Sequence, residues 1–80
     1  MQIDSHEDMI FPQYRKYAND RNFFKIFSPL EFEEVYFIGK NSLRRFFKAE
    51  AYPEKLLIAD LLSASEDSII VITAEEFEAL

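Results

Sequence analysis

The stretch Phe23-Phe24-Lys25-Ile26-Phe27 reads as a β-strand that is apolar on both sides. Side chains alternate along a strand, so Phe24 and Ile26 point one way while Phe23 and Phe27 point the other. A strand of this kind has to be covered twice. Ile69-Ile70-Val71-Ile72 makes the same demand, an apolar run without alternation. The chain has 80 residues to meet it, and at that size only about 60–65% of the unfolded surface is buried on folding. The expectation is that helices cover one sheet face and that a second copy, or another protein, covers the face bearing Phe23 and Phe27, with Tyr14 and Tyr17 alongside. The competing reading folds the segment around Ile10 and Phe11 over that face.

Composition removes several function classes. There is no Cys, so disulfides, zinc ribbons, thiolate chemistry and iron–sulfur ligation are excluded together. Gly39 is the only glycine, and no Walker loop or dinucleotide fingerprint can be written with one. His6 is the only histidine, which leaves a Ser–His–Asp triad without support. The longest apolar runs, such as Val35–Ile38, are far short of the ~20 residues that span a bilayer. The first nine residues carry Asp4, Glu7 and Asp8 and no Lys or Arg, the opposite of a signal peptide. Together these features lead to the expectation of a cytoplasmic, non-catalytic protein with no cofactor, small-molecule ligand or membrane contact.

Residues 1–9 read as a flexible acidic lead-in to a single domain over 10–80. Tyr14 to Ala18 and Phe23 to Phe27, around the turn formers Asn19-Asp20-Arg21-Asn22, read as a β-hairpin. A capping motif then occurs twice. In Phe27-Ser28-Pro29-Leu30-Glu31-Phe32, Ser28 can cap a helix, Pro29 suits its first position, Glu31 closes the box and Phe27 staples to Phe32. In Ile72-Thr73-Ala74-Glu75-Glu76-Phe77, Thr73, Glu76, Ile72 and Phe77 take the same roles. Strand-to-helix junctions converge on this chemistry; the sharper alternative is an internal duplication of a strand–helix unit.

The spacing predicts a helix from Pro29 to about Phe37, with Phe32, Val35 and Tyr36 as its buried stripe and Gly39 as its left-handed stop. Leu43 to Tyr52 is read as a strand, with a helix over Leu43–Ala51 as the alternative. Pro53 opens a helix that ends in the loop 63–67, Ser68 to Ile72 is a strand covered on both faces, and a short helix starts at Ala74. The expected fold is α+β, in the order β-β-α-β-α-β-α: a mixed four-stranded sheet, opened by an antiparallel hairpin, with three short helices mainly on one face.

Three chemical sites can be drawn. His6 with Asp4, Glu7 and Asp8 are metal-ligand types, but a tail supplies no geometry. Lys40, Arg44, Arg45 and Lys48 occupy 40–48 with no acid among them, and Arg15, Lys16, Arg21 and Lys25 cluster earlier. On one sheet face with Tyr14, Tyr17 and Phe23, Arg15, Lys16, Arg44 and Arg45 would suit single-stranded nucleic acid. Against this, the chain's formal charge of −6 repels phosphate. Asp60, framed by Leu57, Ile58, Leu61 and Leu62, is the one acid that could serve a small hydrolase if buried. Of these readings the interaction module stands first.

Overall fold

The computed structural model describes residues 9–64 and 66–80. The chain runs β1 (Gln13–Tyr17), β2 (Asn22–Ser28), β3 (Glu31–Ile38), β4 (Asn41–Lys48), α1 (Tyr52–Ser63), β5 (Ile69–Val71) and α2 (Ala74–Glu78). The strands form one five-stranded sheet in the order β4-β3-β2-β1-β5. Each neighbouring pair is antiparallel. The α+β class is as expected; the four-stranded mixed sheet and the three helices are corrected, among the described residues, to five antiparallel strands and two helices. The acidic tail expected over 1–9, with the His6 cluster, lies outside the described residues except for Met9, which packs against the core.

The opening hairpin is as read, with Tyr14 opposite Lys25 and Arg15 opposite Phe24. Its turn holds Asp20 at a φ of 61°, and the Arg21 N–H donates to Asn19 Oδ1 at 2.8 Å.

The helix expected from Pro29 is instead β3. Ser28 Oγ accepts the N–H of Leu30, two residues on, at 3.1 Å. Pro29-Leu30 thus form a tight loop, and Ser28 pairs with Glu31 across it. Between Ile26 and Ser28 the register shifts, leaving Phe27 in a bulge. The residues that follow explain the outcome. Phe32, Val35, Tyr36, Phe37 and Ile38 are aromatic or β-branched, side chains that lose rotamer freedom in a helix and pack well on a pleat. Phe32 and Val35, three apart, would share a helical stripe. In the strand they face opposite ways, at 1% and 2% exposure, each beneath a different helix.

Gly39 does adopt the left-handed backbone, at φ 59°. It does so in the Gly39-Lys40 loop between β3 and β4, where primed hairpin turns require a positive φ at the first position. With β3 a strand, the early connections become hairpins, and the expected parallel pairing has no partner. β5 lies antiparallel on the free edge of β1. It is not fully covered on both faces as expected: Ile69 and Ile72 are buried, but Val71 on the α1 face is 62% exposed and Ile70 on the α2 face 38%.

The helices lie on opposite faces, not on one. α1 places Ile58, Leu61 and Leu62 on Phe24, Ile26 and Phe32, with Met9 and Phe11 packed alongside. α2 places Phe77 on Phe23, Val35 and Ile72. The second capping motif forms as read: Thr73 Oγ1 accepts the Glu76 N–H at 3.1 Å and Glu76 Oε1 accepts the Thr73 N–H at 3.4 Å.

Candidate interaction surface

The four residues expected to form an aromatic interface do not share a face. Tyr14 and Tyr17 are three apart on one strand and point oppositely. Phe23 is 9% exposed, buried with Val35, Ile72 and Phe77. Its ring meets Phe37 edge-on at 5.7 Å. Tyr14 packs against Phe77 at 5.6 Å. Tyr17 lies on the α1 face, edge-on to Phe24 at 5.1 Å. The cover over Phe23 is α2 of the same chain, rather than the Ile10–Phe11 segment. Of the four, only Phe27 is classed as exposed, at 36%.

The basic residues are likewise divided. Arg15 is buried at 4% exposure. Its Nε donates to the Leu61 carbonyl at 2.9 Å, its Nη2 to Leu62 at 3.3 Å, and its Nη1 to Tyr14 at 2.8 Å. Burial pulls this guanidinium below its ordinary value, but it stays charged. Lys16 bonds Asp20 at 2.6 Å, which pushes the ammonium up. Arg44 pairs with Glu33 at 3.2 Å and lies 5.6 Å from the Phe77 ring. Arg45 sits 5.1 Å over Phe47, on the other face. The set proposed for single-stranded nucleic acid is thus split across two faces, with Arg15 enclosed.

Asp60 is exposed. It borders an open depression of about 350 Å³ with Tyr17, Leu57, Glu66 and Ile69. The Tyr17 phenol is pushed up there, by burial first and then by Glu34, Glu66 and Asp60. Among the described residues no group of three or more side chains is placed to hold a metal ion.

What the structure leaves open is the edge at β4. This strand is eight residues long, and seven of them are exposed. The Ala49 N–H donates to the Leu30 carbonyl, which sets the phase of the β3–β4 ladder. Because hydrogen-bonded and non-bonded pairs alternate, Ser42, Arg44, Phe46 and Lys48 turn their N–H and C=O groups outward. Apolar side chains flank this edge on both faces. Phe46, 61% exposed, stands 5.8 Å from Phe27 on the α2 face. Tyr36, Ile38 and Leu43 are 38%, 50% and 50% exposed on the α1 face, beyond the clusters that α1 makes. Sequence reasoning passed over Phe46 and Leu43. The available signal was Phe46-Phe47, adjacent rings that a strand must send to opposite faces.

No family model, curated protein or solved structure matches the chain. No helix among the described residues is long and apolar enough to cross a membrane.

Proposed function

We infer that this protein is a non-catalytic interaction module that receives another protein along the edge of β4 and on the apolar side chains beside it. One observation carries the reading: an eight-residue edge strand that keeps four residues' worth of outward backbone groups together with a 61% exposed Phe46. Edge strands are ordinarily shortened, bulged, interrupted by proline or covered. β4 has charges but none of those other devices. An added strand would satisfy the outward backbone groups and help bury Phe46 and Leu43 in the same event. The surface differs from the Phe23 face first expected, which α2 already occupies.

Peptides selected from a random display library on the folded protein test this. Their binding should shift the amides of Ser42, Arg44, Phe46 and Lys48 in a heteronuclear NMR titration. Ser42→Pro removes only an outward N–H, so it should abolish binding and leave the fold intact. Binders that map to the Asp60 depression or to α2, or that tolerate Ser42→Pro, would remove the reading.

A further inference from the structure

We propose that the segment received at β4 is an acidic, extended stretch of a different protein, paired antiparallel to β4. This rests on the edge reading above and names its partner by charge.

The rows of side chains running across the sheet carry the argument. Glu34 stands directly opposite Arg45 and Glu31 opposite Lys48, and Glu33 reaches Arg44 at 3.2 Å. The rows of Arg45 and Lys48 therefore pass from an acid on β3 to a base on β4 and stop, while Arg44, directly opposite Val35, meets its acid on the diagonal. The next position in each row lies against a cation. An acid there continues the alternation, whereas a second base is repelled. The inversion is local: Lys40, Arg44, Arg45 and Lys48 have no acid among them between 40 and 48, in a chain of formal charge −6.

The same rows disfavour a second copy. Two β4 strands paired antiparallel about residue 44 would set Arg44 against the other Arg44 and Lys40 against Lys48. About residue 45, Arg45 meets Arg45; about residue 46, Arg44 meets Lys48. Each of these registers puts like charges directly opposite one another. In those registers the cations weigh against the chain's own edge, while a strand of opposite charge is favoured.

The pattern fixes the partner further. Opposite residues 44, 45, 46 and 48 it should offer acid, acid, apolar and acid, the apolar side chain falling beside Phe46. Written in its own direction, an antiparallel partner reads acid, any, apolar, acid, acid.

The probes are capped peptides of sequence Thr-Glu-Thr-Val-Glu-Glu-Thr, the same with Gln for each Glu, and the same with Lys for each Glu. The Glu peptide should shift the amides of Ser42, Arg44, Phe46 and Lys48. It should bind about tenfold more tightly than the Gln peptide, the size that three cross-strand ion pairs supply together, and lose that margin in high salt. The Lys peptide should not bind. Arg45→Gln should narrow the margin without unfolding the protein. Equal binding of the Glu and Gln peptides overturns the acidic partner and leaves the edge reading standing. Binding of no peptide, or shifts elsewhere, overturns both. A dimer by sedimentation that Ser42→Pro dissolves would show a second copy at the edge, and it also overturns the proposal.

Discussion

Arg15 donates from Nε to the carbonyl of Leu61 at 2.9 Å, so that an inner strand of the β-sheet closes the last turn of a helix. α1 has no basic residue of its own in that turn. The final carbonyls of a helix lack partners within it and carry partial negative charge, and Arg15 supplies both the donors and the opposite charge. Arg15→Met should therefore cost about 2–4 kcal/mol, since it leaves buried carbonyls unpaired. Arg15→Lys should recover only part, because one ammonium cannot copy a fork that reaches two successive carbonyls. Urea unfolding measures both; a loss below ~1 kcal/mol for Arg15→Met would mean that the bonds to Leu61 and Leu62 are incidental.

Thr73 and Ser28 carry the same motif in sequence and should respond differently to alanine. Thr73→Ala removes a formed cap and should destabilise by about 1 kcal/mol. Ser28→Ala loses one exposed bond within a turn and should fall within ~0.5 kcal/mol of the parent. Equal losses in thermal melts would argue against the hairpin at Pro29-Leu30.

The phenylalanines divide by face and depth. Phe77→Ala should cost about 3–5 kcal/mol, because that ring is the lid over Phe23 and Val35. Phe46→Ala, on the open edge, should change stability by no more than ~0.5 kcal/mol. Chemical denaturation of the two variants side by side settles the comparison.

Gly39→Ala should cost about 1 kcal/mol. A Cβ at this position meets nothing within 4 Å, so the whole effect comes from holding an L-residue at a φ of 59°. A neutral result would place the loop in some other backbone conformation.

Alkaline stability should depend on Tyr17. Folding raises its pKa above the ordinary 10.0, burial being the main cause. The folded state therefore holds the phenol's proton more tightly than the unfolded state does. Its contribution is fully present below the ordinary value and is lost as pH climbs through the folded one. Tyr17→Phe should flatten that alkaline decline in a pH series of urea midpoints.

Much of the fold was legible where local chemistry and tertiary setting agreed. The hairpin around Asn19-Asp20-Arg21-Asn22, the helix after Pro53 and the cap at Thr73 are all present where the residues place them. The error at Ser28 has a physical origin. Ser-x-x-Glu satisfies a helix start and a tight turn equally well, and the deciding residues come afterwards. Phe-Glu-Ala-Leu after Glu76 suits a helix; Phe-Glu-Glu-Val-Tyr-Phe-Ile after Glu31 is a strand. That one misreading displaced the sheet's strand count, its direction and the location of its exposed edge. The aromatic surplus of β2 is plain in the sequence, but its cover, Phe77, comes from far along the chain, which no local spacing reveals.

That lid stands late in the order of synthesis. β1 to β4 form an up-and-down meander whose pairings join consecutive segments and can close as the chain emerges. Phe23 and Val35 then keep only Tyr14 and Phe37 as apolar neighbours on that face until Ile72 and Phe77 have left the ribosome. For that interval, a matter of seconds at ordinary elongation rates, the nascent polypeptide presents a half-clad, sticky slab. Cotranslational chaperones should meet it on the Phe23 side.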